Sequence, residues 1–142
     1  MIPESIIKYL AQDGDVVLRK DALQAFQALT QIGIAKESEF GEFYTRYRGG
    51  FISSEPRPEL LDIAGPAIPA IPDLSAYVLD WYELPEEFVA LTSDESEGMY
   101  LYNKNNKSVY DFSVGQSQDL INGKIQPRWN SFNEFLEWFF VI

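Results

Sequence analysis

The chain has 142 residues, room for a single domain, and at 46% hydrophobic and 15% aromatic it is far too apolar for intrinsic disorder. It contains no Cys and no His, which excludes thiolate and imidazole catalysis, Ser-His triads, zinc-finger sites and disulfides. With 22 acidic residues against 11 basic ones its formal net charge is −11, a field that repels phosphate backbones and attracts basic partners.

The opening MIPESIIKYLAQDGD has no basic n-region, so no signal peptide is expected; no apolar run approaches the ~20 residues that cross a bilayer. A cytoplasmic location is the resulting expectation. ESIIKYLAQ predicts a short amphipathic helix with Ile6, Ile7 and Leu10 on one side, and DVVLRK a brief strand or turn. KDALQAFQALTQIG predicts a helix with Leu23, Phe26, Leu29 and Thr30 on its inner face, Asp21 in the first turn and Gly33 at its stop. In SEFGEFYTRYRGGFI, Phe40, Phe43, Tyr44 and Tyr47 fall at i, i+3, i+4 and i+7, one face of a helix capped by Ser38. Gly49 and Gly50 follow that helix, whereas a phosphate-cradling loop needs glycines before one. They are read as a helix stop, with Gly49 supplying a left-handed residue.

From Ser53 to Tyr77 the chain holds five of its eight prolines, which predicts one helical turn at PELLDIA and then an extended, packed loop over about 53–76. The second half predicts an antiparallel sheet: YVLDWYEL, a strand within LPEEFVALTSD, and a hairpin in GMYLYNKNNKSVYDFS. The C-terminal SFNEFLEWFFVI predicts a helix with a capping box at Ser131 and Glu134 and a stripe of Phe132, Phe135, Leu136, Phe139 and Phe140. The expected fold is α+β in one domain, 1–142: a mostly antiparallel sheet of about four to six strands, flanked by N-terminal helices and a C-terminal helix.

Charge placement supplies the candidate site. No Lys or Arg lies between Arg57 and Lys104, and that interval holds ten acids: Glu59, Asp62, Asp73, Asp80, Glu83, Glu86, Glu87, Asp94, Glu95 and Glu97. Either this is a solvated face that aids solubility or it grips a cationic partner. The oxygens of SDESEG are close enough in sequence for Ca²⁺ but lack EF-hand spacing, so a tight turn is the preferred reading and no metal is expected. Glu83, Glu86 and Glu87 could supply a glycosidase-like carboxylate pair, but acids crowded on a turn are normally solvated. Trp81, Tyr82, Tyr100, Tyr102 and Tyr110 could form a stacking platform, about half of it core. Trp81 and Tyr82 beside Glu83, Glu86, Glu87, Asp94, Glu95 and Glu97 make the candidate partner-binding set.

The order of these features resembles the SUKH superfamily, the group that includes the yeast Smi/Knr cell-wall regulator. The resemblance rests on Gly49 and Gly50, Leu84 and Pro85, Phe88, Gly98, Tyr100, Leu101, Val109, Tyr110, Ser131, Phe132, Phe135 and Leu136. It implies an α+β domain without catalytic activity or cofactor. It also implies a protein partner, because bacterial members resemble immunity proteins that neutralise polymorphic toxins, often nucleases, and yeast relatives act in signalling assemblies. The leading expectation is an immunity protein that binds a basic toxin domain, as a monomer or weak dimer, without nucleic acid or membrane. A regulatory interaction module is the second reading, and a carboxylate- or metal-dependent hydrolase the third.

Overall fold

The computed structural model describes residues 1–142. In chain order the elements are α1 (Glu4–Ala11), a 3₁₀ turn (Gly14–Val17), α2 (Ala22–Ile32), α3 (Glu39–Arg46), α4 (Ile71–Tyr82), β1 (Phe88–Ala90), β2 (Gly98–Asn103), β3 (Val109–Ser113), α5 (Ser117–Ile121) and α6 (Phe132–Phe139). Local chemistry starts the helices where the sequence indicates. Asp21 accepts from the Leu23 amide, Ser38 from the Gly41 amide and Ser131 from the Glu134 amide, each satisfying a donor that has no partner inside its helix.

The three strands form an antiparallel sheet in the order β1-β2-β3. Phe88 opposes Asn103 and Ala90 opposes Leu101, while Leu101 opposes Tyr110 and Met99 opposes Phe112. Side chains alternate between faces, so this register sorts the core into two halves. Phe88, Ala90, Met99, Leu101, Tyr110 and Phe112 pack with Leu74 and Val78 of α4, Leu84 and Leu120 of α5. Val89, Tyr102 and Val109 face the other way and join α1, α3 and α6 in a larger aromatic core. There Phe40 of α3 lies 4.8 Å from Tyr102 and 5.0 Å from Phe132 of α6, ring centre to ring centre. The result is three layers: α4 with α5, the sheet, and the α1–α3–α6 group.

This architecture corrects several expectations. The sheet has three strands, not four to six; both faces are covered by helices, and the remaining extended segments add only single bridges, Leu18 with Tyr47, Phe51 with Leu60 and Trp129 with Val109 of β3. YVLDWYEL is the end of a helix, because Leu74, Ser75 and Val78 share one buried side and Pro72 sits in the first turn, where its missing N–H costs nothing. PELLDIA is not helical, since Leu60 exchanges both backbone hydrogen bonds with Phe51. The loop before α4 is not packed: Ile68 is 88% exposed. On α2 the buried side chains are Ala25, Ala28 and Leu29, whereas Leu23 and Thr30 are exposed; small residues allow closer helix approach than Leu23 would.

The stop of α3 is also different. Gly33 closes α2 as expected, with φ 74, but Gly49 does not take the left-handed conformation expected of it; α3 ends because Tyr47 turns extended and pairs with Leu18. Gly50 lies against the exposed Glu59 side chain, whose carboxylate as placed is 1.9 Å from where a Cβ would stand. At the C-terminus Phe139 and Phe140 are buried, but Val141 and Ile142 are half exposed.

Candidate functional site

Helix α4 carries the site because it is anchored on one side and bare on the other. The Ala90 amide donates to the Ser75 hydroxyl at 2.9 Å, fixing the helix on β1. Asp73, Ala76, Tyr77, Asp80 and Trp81 then form one exposed stripe with helical spacing. Tyr77 and Trp81 are 49% and 68% exposed and stack at 6.2 Å with 18° between ring planes. Tyr77 was missed by reading the segment as a strand; the Asp73, Tyr77, Asp80, Trp81 spacing is the signal that reveals it.

Of the candidate platform, only Trp81 stands free. Tyr102 and Tyr110 are buried, and Tyr100 and Tyr82 are half-buried, because each face of the sheet meets a helical layer. Tyr82 instead links α4 to the β1–β2 turn, its phenol donating to Asp94 at 2.9 Å. Partial burial, and then that carboxylate, push the phenol up to about 12. In the same turn Thr92 accepts from the Tyr100 amide and the Ser96 hydroxyl donates to the Gly98 carbonyl. Asp94, Glu95 and Glu97 are thus held at the end of the sheet that Tyr82 reaches.

The remaining candidates lie elsewhere. Glu83 closes α4 with φ 55, a left-handed conformation. Glu86 and Glu87 precede β1 at the opposite end of the hairpin, where the Lys104 amide donates to the Glu87 carbonyl. The structure therefore brings Trp81, Tyr82 and Asp94 to Glu97 onto the α4 side and sets Glu86 and Glu87 apart by the length of β1. Glu59 and Glu95 also line a hollow of about 500 Å³ beside the Pro-rich loop.

Electrostatics follow from where the cations go. Arg19 donates to the Tyr44 and Tyr47 carbonyls at the end of α3, Arg57 to the Trp138 and Phe139 carbonyls at the end of α6, and Lys104 to the Ile32 carbonyl at the end of α2. Each meets the negative end of a helix. Arg128 pairs with Asp111 and lies over Trp129 and Trp138. Of the ten acids between Arg57 and Lys104, Asp62 alone has an ion-pair partner, the buried Arg19. The other nine have no cation partner; seven are exposed, and Glu87 and Asp94 are half-buried. No three of the acids are close enough together to hold a metal ion. No helix is long and apolar enough to cross a membrane.

The residues that carry the resemblance have architectural jobs. Leu84 and Phe135 are buried, Tyr110 packs edge-on against Phe88, and Ser131 caps α6. Beside Leu84, Pro85 accepts from the Phe88 amide at the entry to β1. A Cβ on Gly98 would stand 3.0 Å from the Phe112 carbonyl, so the β2–β3 pair closes tightly there.

A helix-flanked antiparallel α+β domain whose outer helix α4 and adjoining turns carry acids without cation partners is the class the geometry defines. Residues 18–138 match the SMI1/KNR4 family (SUKH-1), and the chain belongs to that family. Comparison with curated proteins gives no match.

Proposed function

We propose that this chain is a non-catalytic immunity protein that binds and neutralises a basic toxin domain, of the nuclease kind, in the cytoplasm. Family membership is consistent with that role. The observation that carries the reading is the set of carboxylates from Glu59 to Glu97 that, Asp62 apart, are left without cationic partners, while Arg19 and Arg57 cap helices inside the fold. A nuclease binds phosphate through basic side chains, and fixed carboxylates compete for that groove and speed encounter.

The test is co-expression with a nuclease toxin domain encoded beside this gene, followed by purified-component inhibition. The expected result is a stable complex, suppressed nuclease activity and weaker binding when Glu86, Glu87, Asp94, Glu95 and Glu97 are reversed to Lys together. Full nuclease activity in the presence of excess protein overturns the proposal. A gene with no toxin beside it favours a regulatory interaction module instead.

A further inference from the structure

Resting on the basic-partner reading, we infer that the outer face of α4 is the anchor point of that interface: the Tyr77–Trp81 pair, flanked by Asp73 and Asp80, receives an arginine side chain of a basic protein partner. Three observations converge on this occupant. Tyr77 and Trp81 are exposed large aromatics, four residues apart on a helix whose opposite side is locked to β1. They stack nearly parallel, so each ring holds the other in place and an outer π face is offered on a rigid element, which lowers the ordering cost of binding. Asp73 and Asp80 share the same stripe, and neither is held in an ion pair.

Charge complementarity selects the partner chemistry. A planar guanidinium stacks on an aromatic face while its N–H groups reach a carboxylate, and Arg does both better than Lys. The protein already uses this geometry internally, with the Arg57 guanidinium 3.7 Å from the centre of the Trp138 ring while it donates to backbone carbonyls. Nucleic acid and anionic lipid are disfavoured by the same acids. Trp81 shares its helix with Asp73 and Asp80 and immediately precedes Tyr82, which touches the Asp94-bearing turn. Trp and Tyr are enriched among the residues that carry concentrated binding energy.

The experiment titrates the intact protein, isotopically labelled, with nona-arginine and nona-lysine peptides at low salt, by NMR and by calorimetry. The expected result is that the Trp81 indole N–H moves most and that nona-arginine binds at least about threefold tighter than nona-lysine. Trp81→Ala and Tyr77→Ala each weaken nona-arginine binding about fivefold and collapse the Arg-over-Lys preference, while Trp81→Phe retains part of it. Both residues are exposed, so these variants keep the fold. If both peptides bind equally and Trp81→Ala changes nothing, the anchor is refuted while the basic-partner reading stands. If neither peptide binds at low salt, the basic-partner reading fails and the anchor fails with it.

Discussion

Arg19 and Asp62 form a buried ion pair, their side chains 5% and 7% exposed, that joins the segment after α1 to the segment before α4. The same guanidinium donates to the Tyr44 and Tyr47 carbonyls at the end of α3, and the Asp62 carboxylate accepts from the Ile63 amide. Three parts of the chain therefore meet at one charge pair. Arg19→Met strands a buried carboxylate and two carbonyls, and an expected loss of about 3–5 kcal/mol is measurable by urea unfolding. The double variant Arg19→Met/Asp62→Asn is expected to be more stable than Arg19→Met alone, because no uncompensated charge remains.

Arg57 does the corresponding job for α6. It donates to the Trp138 and Phe139 carbonyls and lies over the Trp138 ring, beside Ser53, whose hydroxyl donates to Phe139 at 2.6 Å. Arg57→Ala is expected to cost about 1–3 kcal/mol in thermal or chemical unfolding. Arg57→Lys should recover only part of that, since an ammonium cannot stack and bridge two carbonyls together.

Two glycines separate backbone from side-chain crowding. A Cβ on Gly41 would stand 2.3 Å from the Ala35 carbonyl oxygen and 2.7 Å from the Lys36 Cα, both backbone atoms. Gly41→Ala is therefore expected to destabilise by about 1–3 kcal/mol despite the higher helix propensity of Ala. At Gly50 the obstacle is the exposed Glu59 side chain, which can swing aside. Gly50→Ala should change stability by less than about 1 kcal/mol. Parallel unfolding curves of the two variants check the difference.

How much of this was readable in sequence depended on whether the cause was local. The aromatic side of α3, the Ser38 and Ser131 caps and the Gly98–Ser113 hairpin follow from spacing and turn chemistry within short windows. The stop of α3 was not readable, because the group that satisfies its last carbonyls is Arg19, distant in sequence and brought in by the fold. Helix α4 is masked in sequence by prolines at its start and by an Ala70 N-cap that makes no side-chain hydrogen bond, so Tyr77 to Leu84 reads as a strand. That error concealed Tyr77 and divided the candidate surface. The acids were legible as a run, but only topology places Glu86 and Glu87 at one end of the hairpin and Asp94 to Glu97 at the other.

Alkaline stability follows from the phenols. Burial, with a smaller contribution from Glu39, pushes Tyr102 up to about 12; burial, then Asp94, does the same to Tyr82; and burial also raises Tyr44, Tyr47 and Tyr100. Above pH ~10 the unfolded chain loses phenolic protons that the folded chain still holds, so stability falls as pH rises from about 10 to about 12. Below pH ~10 these groups contribute no pH dependence. Chemical unfolding across that window should show the decline, with about 2–3 kcal/mol from Tyr102 alone. Tyr102→Phe should remove that share of the decline and leave the part due to the other phenols.

We propose that electrostatic attraction of a basic protein to exposed carboxylates on the α4 side, which have no cation partner, governs association. Its most direct test is the association rate constant with the cognate toxin domain, measured by stopped flow from roughly 20 to 500 mM salt, where the Debye length shrinks from about 20 Å to under 5 Å. The expected result is a fall of tenfold or more in the association rate across that range, abolished when Asp80, Asp94, Glu95 and Glu97 are reversed to Lys. An association rate indifferent to salt and to those reversals would rule out electrostatic attraction of a basic partner by these carboxylates.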